Sequence, residues 1–357
     1  MSQQSGRILA VETSCDETAV AVVEGGRRII SSVVASQVAL HSETGGIVPE
    51  VAARAHLRWM IPVLDEARTR AGIDDWAEVD AVAVTEGPGL AGSLLVGITM
   101  AKTLAWSRDL PLVPVNHLEG HIYAAWLLDS DEEDRPAPEF PLVALVVSGG
   151  HTFIVEMTDH LHYRLLGQTM DDAAGEAFDK VGRLLGLSYP GGPAIMRTAA
   201  GSTRHDRRFP RAWLGESYDF SFSGLKTAAR RAVGEALGRS PTDRDLDGAE
   251  LAADDVAELA WAFQESVVDV LATKTLRAAR ELGARTIILG GGVAANAVLR
   301  ERIAEGAQAL DVPLIVPRPG LCTDNAAMVG AAGWHRAEAG SRADRSLDAR
   351  PSLKLAV

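Results

Sequence analysis

The sequence predicts an α/β protein in which one structural plan occurs twice. The first copy is an apolar strand, a polar turn and a second apolar strand within residues 7–23, and the second copy repeats this order within 141–157. Short apolar runs between turn residues are typical of buried strands, so both segments predict hairpins that lie in sheets. A repeated glycine loop and a repeated strand-to-helix junction support the same fold class.

The glycine loops follow a further strand in each half. Strand 81–84 leads through Glu86-Gly87-Pro88-Gly89 to a helix, and strand 286–289 leads through Gly290-Gly291-Gly292 to another helix. Glycine lets backbone amides approach anionic oxygens, so these loops and the hairpin turns indicate contact with a phosphate or nucleotide. The alternative is that they only reverse the chain direction.

Two histidines, His117 and His121, lie four residues apart where a helix is predicted to begin. The preceding segment 112–115 reads as a buried strand, and Asn116 is a good N-cap. Residues four apart on a helix lie on one face, within reach of a single metal ion. The helix dipole also favours neutral imidazole, which is the form that binds metal. The alternative is a pair of satisfied polar residues at a helix start.

The residue Glu119 argues against a zinc protease. That chemistry places glutamate directly after the first histidine, whereas Glu119 follows His117 by two positions and lies about 200° around the helix. A third metal ligand must therefore come from elsewhere in the chain.

The second half offers that ligand at its own strand-to-helix junction, where strand 314–316 precedes Asp324 and a helix. Duplication places equivalent loops opposite each other across a central cleft, so we expect Asp324 to face the histidine pair. One carboxylate with two imidazoles leaves coordination sites open, which suits iron(II) or zinc in a reactive role. The alternative for Asp324 is a helix N-cap.

Composition indicates a folded protein of ordinary type. With 357 residues and 47% hydrophobic residues, the chain can form two cores. We predict an N-terminal half at 1–135, with a contribution from the C-terminal helix, and a second half at 136–357 with a helical insertion around 165–265. The polar N-terminus and short apolar runs predict no signal peptide and no membrane span, and hence a cytoplasmic location. Two distant cysteines, Cys15 and Cys322, predict reduced thiols.

The net charge of −13 repels polyanions, so a nucleic acid must be bound by a local patch or with a partner. We name one candidate the basic cluster, which consists of Arg204, His205, Arg207, Arg208 and Arg211 with Phe209 and Trp213. The alternative is a solvated surface.

Taken together, the motifs closely resemble the bacterial tRNA N6-adenosine threonylcarbamoyltransferases, once described as O-sialoglycoprotein endopeptidases, of the actin-like ATPase superfamily. The resemblance covers nearly the whole chain. The matching segments are Val11–Thr18, Gly45–Glu50, His117–His121, Val147–Thr152, Asp171–Lys180, Tyr189–Pro193, Phe220–Thr227, Gly291–Asn296 and Thr323–Asn325.

This resemblance implies two actin-like, ribonuclease H-like domains that face each other across a nucleotide- and metal-binding cleft. It implies transfer of a threonylcarbamoyl group from threonylcarbamoyl-AMP to N6 of adenosine 37 in tRNAs that read codons beginning with A, with release of AMP. One divalent metal, iron(II) or zinc, is then held by His117, His121 and Asp324. Implied partners are tRNA, an inactive paralogue and a small ATPase. The resemblance implies no association with a membrane.

The resemblance also implies contacts to the nucleotide substrate. The residues concerned are Val146, Val147, Ser148, Gly149, Gly150, Asp179, Gly192 and Asn296. One further contact does not carry over, because Met196 stands where some family members have an acidic residue.

The proton of the adenine amine needs a base, and Glu12 and Asp16 in the first hairpin are candidates, with structural carboxylates as the alternative. Two other function classes remain open at this point. A zinc peptidase is disfavoured by Glu119. A nucleotide-binding chaperone or kinase is disfavoured by the histidine pair, since a magnesium nucleotide is usually held through oxygen ligands and waters.

Overall fold

The protein is described here by a computed structural model, which covers residues 6–42, 46–243 and 246–355. Gly45 of the segment Gly45–Glu50 lies outside the described residues. The chain forms two compact units, each discontinuous in sequence. The first comprises Met1–Pro138, Asp159–Tyr163 and Pro317–Val357, and the second comprises Glu139–Thr158 and Arg164–Val316.

Each unit contains one sheet. The strands of the first sheet are β1 (Arg7–Glu12), β2 (Glu17–Glu24), β3 (Arg28–Ser36), β4 (Ala81–Gly87), β5 (Leu112–Asn116) and β6 (Leu128–Asp129). Those of the second are β7 (Leu142–Val147), β8 (Thr152–Asp159), β9 (His162–Gln168), β10 (Thr286–Gly290) and β11 (Leu314–Ile315). The sheet orders are β5-β4-β1-β2-β3-β6 and β11-β10-β7-β8-β9.

The helices divide between the same two units. The first unit holds α1 (Val38–Ser42), α2 (Pro49–Arg70), α3 (Ala91–Arg108), α4 (His117–Tyr123), α10 (Pro319–Cys322) and α11 (Ala326–Glu338). The second unit holds α5 (Ala174–Leu184), α6 (Gly191–Ala200), α7 (Ser223–Leu237), α8 (Ala253–Leu282) and α9 (Ala297–Ala309).

The two sheets share one topology over five strands. In both, the hairpin strands are antiparallel, β1 with β2 and β7 with β8. The strand before the glycine loop then pairs in parallel with the first hairpin strand, and the next strand pairs in parallel with it. This confirms the predicted α/β class and its duplicated actin-like plan. Sequence patterns did not reveal β3, β6 and β9.

Strand β1 shows how the first sheet is covered on both faces. Alternate side chains of a strand point to opposite faces, and here Leu9 and Val11 join the core formed with α2 and α3. Ile8 and Ala10 lie on the other face, where Gly333 and Gly330 of α11 approach them. Helix α11 therefore packs on the first sheet, although the strand that precedes it, β11, belongs to the second.

Among the described residues, no helix combines the length and the apolar character that crossing a membrane requires.

Candidate active site

Helix α4, which carries both histidines, starts directly at the end of β5. Asn116 Oδ1 accepts a hydrogen bond from Leu118 N at 2.9 Å, which confirms the predicted N-cap. The amide of Asn116 also donates to Lys354 O at 2.9 Å. All seven residues of α4 are buried. Because a helix of this length is not stable by itself, the residues packed around α4 hold it in place.

The structure brings His117, His121 and Asp324 together within the first unit. One potential ligand atom from each lies within 4.8 Å of the other two. Nε2 of His117 is 3.5 Å from Asp324 Oδ1, and Nε2 of His121 is 3.3 Å from the same oxygen. Two ligands about 2.1 Å from one ion are about 3.4 Å apart at a tetrahedral angle. These separations therefore fit a shared divalent metal.

The surroundings of His121 also fit a metal. Its side chain is 1% exposed, and neither ring nitrogen has a hydrogen-bond partner among the residues that the structure describes. A buried polar group without such a partner is costly, unless an ion or water satisfies it. The ring of His121 stands nearly perpendicular to that of His117, with ring centroids 4.7 Å apart. The three residues are thus a possible metal-binding group.

Glu12 orients His117 from the side opposite Asp324. The Nδ1 atom of His117 lies 3.1 Å from Glu12 Oε2 and 3.1 Å from Ser14 Oγ, and its Nε2 atom faces Asp324. Glu12 itself is fully buried and also accepts hydrogen bonds from Thr85 Oγ1 and Ser14 N. A carboxylate that fixes the imidazole tautomer in this way is a usual partner of metal-binding histidine.

The charge state of His117 differs from the expectation based on the helix dipole. Burial lowers the pKa of His117, but Asp324 and Glu12 outweigh burial and raise it to about 9 in the metal-free protein. For Glu12 the directions are reversed. Burial raises the pKa of Glu12, but the charge and the hydrogen bond of His117 outweigh burial and lower this pKa below its usual range. Two nearby carboxylates therefore dominate over the dipole of one short helix.

Metal binding should consequently tighten as the pH rises from about 7 to 9. Below a pKa of about 9, an ion must displace a proton from His117, so the logarithm of the affinity should rise by about one unit per pH unit and then level off. Competition of Co²⁺ against a chelator of known pH dependence measures this. An affinity that is constant from pH 7 to 9 would contradict the raised pKa.

The carboxylate of Glu119 is bound by an arginine on the side of α4 away from the histidine pair. Its carboxylate is 1% exposed and accepts two hydrogen bonds from Arg336 of α11, at 2.6 Å from Nε and 2.7 Å from Nη2. This confirms that Glu119 points away from the histidine pair, and it removes the basis for a zinc peptidase. Arg336 was not identified from the sequence, where it stands 217 positions from Glu119.

The second base candidate, Asp16, is the last residue of the turn between β1 and β2. Asp16 is 9% exposed and neighbours Glu17, which sequence reasoning missed. Burial, together with Asp324 and Asp16, raises the pKa of Glu17 to about 9, so Glu17 holds a proton at neutral pH. The sequence around Glu17 gave no indication of this raised pKa.

In the second unit, the hairpin turn after β7 presents free backbone donors. Val146 and Val147 are fully buried in β7, which pairs with β8 on one side and with β10 on the other. Ser148 N donates to His151 O at 2.8 Å and closes the turn. Gly149 and Gly150 are exposed, and within the described parts of the chain their N–H groups have no acceptor. A Cβ placed on either would meet no atom within 4 Å.

Two other segments converge on this turn. Gly291 has φ of +85°, and a Cβ there would lie 2.4 Å from Val147 O, so only glycine lets the chain pass so close to β7. Gly175 in α5 donates to Ser148 O at 3.2 Å. The turn 148–151, the loop after β10 and the start of α5 therefore form one cluster in the second unit.

Asp179 and Gly192 lie at the contact between α5 and α6. Asp179 Oδ1 accepts a hydrogen bond from Gly191 N at 2.7 Å, at the start of α6. Burial raises the pKa of Asp179, and the N–H groups of Gly191 and Gly192 counteract it. Gly192 is partly exposed.

Asn296 is held by two hydrogen bonds inside the second unit. Its Oδ1 accepts from Leu299 N at 3.1 Å and caps α9, while its Nδ2 donates to Gln264 Oε1 at 2.9 Å. Gln264 was missed because it lies on a distant helix, α8. This cap also explains why the helix predicted after the glycine loop, α9, begins only at Ala297, after a 3-10 turn at Gly292–Ala295.

The basic cluster is largely neutralised by nearby carboxylates. Arg204 pairs with Asp255 at 2.5 Å, and two nitrogens of Arg211 bind Asp269 Oδ2. Arg207 has only a long contact of 3.8 Å to Glu235. Arg208 binds backbone carbonyls and lies 5.1 Å from the centroid of the Trp261 ring. Phe209 is buried, and Trp213 is 42% exposed.

Sequence similarity places this chain among proteins of one described family. The sequence profile described as tRNA N6-adenosine threonylcarbamoyltransferase matches residues 28–331. A protein of that name from Thermomicrobium roseum is 56% identical, over 98% of this chain and 96% of its own. Another, from Symbiobacterium thermophilum, is 50% identical over 99% of this chain and 98% of its own.

Solved structures with low sequence identity share the fold. The crystal structure of HypF from T. kodakarensis matches 94% of this chain and 48% of its own, with a TM-score of 0.59 and 14% identity. Full-length HypF in the phosphate- and nucleotide-bound form matches 94% of this chain and 55% of its own, with a TM-score of 0.57 and 13% identity. At such identities the likeness concerns the fold alone.

Proposed function

This chain belongs to the tRNA N6-adenosine threonylcarbamoyltransferase family, and we propose that it transfers the threonylcarbamoyl group from threonylcarbamoyl-AMP to N6 of adenosine 37. The tRNAs concerned read codons beginning with A. The observation that carries the proposal is the family membership, which extends over nearly the whole chain. A new bond forms between N6 and the carbamoyl carbon, the bond from that carbon to the phosphate oxygen of AMP breaks, and the amine loses a proton.

We propose that the glycine turn of the second unit binds the phosphate of the donor. The unused N–H groups of Gly149 and Gly150 suit an anionic oxygen, since backbone donors in a turn form an anion-binding concavity. The adenosine part is assigned to the loop that ends at Asn296, with Asp179 and Gly192 as further contacts. AMP is a good leaving group, so positioning and charge stabilisation are the main requirements.

We propose further that His117, His121 and Asp324 hold one divalent metal, iron(II) or zinc. Such a metal, when bound, supplies a Lewis acid for a carbonyl oxygen. Glu12 holds Nδ1 of His117, so that Nε2 is the metal-binding nitrogen. Because several donors already bind the oxygens of Glu12, we assign the proton acceptor to Asp16 rather than to Glu12.

The test is direct transfer to tRNA. The protein is incubated with threonylcarbamoyl-AMP, the inactive paralogue and the small ATPase that we propose as partners, and an unmodified tRNA that reads a codon beginning with A. We expect the modified nucleoside and AMP in equal amounts, and neither modification nor AMP release with a tRNA that carries guanosine at position 37. Release of AMP without a modified nucleoside would contradict transfer to tRNA.

Within the basic cluster, only Arg207 and Arg208 should contribute to tRNA binding. Each phosphate contact contributes about −0.7 to −0.9 to the slope of log affinity against log salt. Replacing both residues by glutamine should therefore reduce the steepness by up to about two units, whereas Arg211→Gln should leave the slope unchanged because Arg211 is paired with Asp269. Affinities for tRNA are measured over a salt series with the partner proteins present. If the double variant keeps the wild-type slope, tRNA binds to another surface than the basic cluster.

A further inference from the structure

We propose that Glu119 and Arg336 are positioning residues, whose ion pair holds α4 and α11 so that His117, His121 and Asp324 can bind the same ion. This inference rests on the proposed metal site, and it assigns a task to two residues outside that site. Neither side chain is among the three proposed ligands.

The ion pair acts on the side of α4 opposite the ligands. At about 100° per residue, His117 and His121 are about 40° apart around the helix axis, and Glu119 lies about 180° from their midpoint. A restraint on Glu119 therefore sets the rotation of α4 about its own axis. Because α4 has only seven residues, little else in the helix itself resists such a rotation.

Small rotations matter at a metal site. An atom about 5 Å from the helix axis moves by about 0.9 Å when the helix turns by about 10°. Distances from metal to ligand are tolerated only within about 0.2 Å. The orientation of both imidazoles thus depends on how firmly α4 is held.

The partner of Glu119 lies on the helix that follows the third ligand. Asp324 stands two residues before α11, and Asn325 caps that helix through its side chain, which accepts from Met328 N at 3.0 Å. Arg336 lies three turns further along α11. One ion pair therefore connects the helix with two ligands to the helix that begins beside the third.

Packing between α4 and α11 sets their separation, but it restricts the rotation of α4 less than the ion pair between Glu119 and Arg336 does. At Gly120 a Cβ would lie 3.1 Å from Met328 Cγ, which shows that α4 and α11 are in close contact there. Aliphatic contacts of this kind are non-directional. The two parallel hydrogen bonds between Arg336 and Glu119 are directional, and a planar guanidinium supplies that geometry where lysine does not.

The test compares Co²⁺ binding by the full chain and its variants. In the double variant Glu119→Leu with Arg336→Met, apolar side chains replace both charges, so that no buried charge remains unpaired. Arg336→Lys keeps a charge but not the bidentate geometry. The matched control is Arg302→Met, which breaks an ion pair with Glu265 and Asp269 in the second unit. Affinity is measured by chelator competition, and ligand geometry by the visible absorption bands of Co²⁺.

We expect the double variant to remain folded, to bind Co²⁺ about 10- to 100-fold more weakly and to show altered absorption bands. Arg336→Lys should be intermediate, and Arg302→Met should bind as the wild type does. Wild-type affinity and spectrum in the double variant would overturn the inference, and if that variant does not fold, wild-type binding by Arg336→Lys would overturn it equally. If His121→Ala binds Co²⁺ as tightly as the wild type, the proposed metal site fails instead.

Discussion

Replacing His121 by alanine should weaken metal binding by more than about a hundredfold and abolish transfer, while the fold persists. The loss of one of three proposed ligands should exceed the 10- to 100-fold effect typical of residues that only support a ligand. Among the described residues no hydrogen bond to His121 is formed, so the substitution costs the packing of a small buried ring and its 3.3 Å contact with the partly exposed Asp324. Metal analysis and thermal unfolding of the purified variant measure both effects.

Two related variants and one control sharpen this result. His117→Ala should also lose the metal, but it should be less stable by about 1–3 kcal/mol because it removes the imidazole that pairs with the buried carboxylate of Glu12. Asp324→Asn should lose metal without a comparable loss of stability, since Asp324 is partly exposed. His162→Ala removes an exposed histidine of the same unit and should bind metal normally. Stoichiometric metal of unchanged affinity in the Asp324 variant would remove that residue from the site.

Gly149→Val should weaken binding of a donor analogue by at least about tenfold, or about 1.4 kcal/mol, with little effect on stability. A Cβ at position 149 would meet no protein atom within 4 Å, so a change in unfolding free energy within about 0.5 kcal/mol is expected. It extends instead into the space where we place the phosphate. Calorimetry with a non-hydrolysable donor analogue gives the affinity, and chemical unfolding gives the stability.

Gly291→Val is the matched contrast. At φ of +85°, with a Cβ that would lie 2.4 Å from Val147 O, valine should destabilise the second unit by more than about 2 kcal/mol. Its weaker donor binding would then follow from damage to the fold. If Gly149→Val binds the analogue as the wild type does, the turn 148–151 only reverses the chain, and the phosphate lies elsewhere.

Local patterns predicted those parts of the fold and site that depend on neighbouring residues. The spacing of His117 and His121, the cap at Asn116 and the direction of Glu119 all follow from helix geometry and are seen in the structure. The repeated strands predicted the shared sheet topology. Asp324 could be named because duplication gave it a position equivalent to that of the histidines.

Long-range pairings could not be predicted in this way. Arg336 binds Glu119, and Gln264 binds Asn296, but each pair is formed only when distant helices pack. The raised pKa of His117 likewise depends on Glu12 and Asp324, which come from two other segments of the first unit. The pairing of the basic cluster with Asp255 and Asp269 required the position of α8, which sequence periodicity alone does not give.

The return of residues 317–357 to the first unit has a consequence for biosynthesis. A ribosome makes His117 and His121 roughly two hundred residues before Asp324, and Arg336 later still. Until α11 emerges, one face of the first sheet is uncovered and Glu119 has no counter-ion. The strands and helices of the second unit, by contrast, are all synthesised by residue 316, and domains generally fold as they leave the ribosome. The half of the protein that is translated first is therefore the last to be completed, and the nascent chain cannot bring the three proposed ligands together before α11 begins.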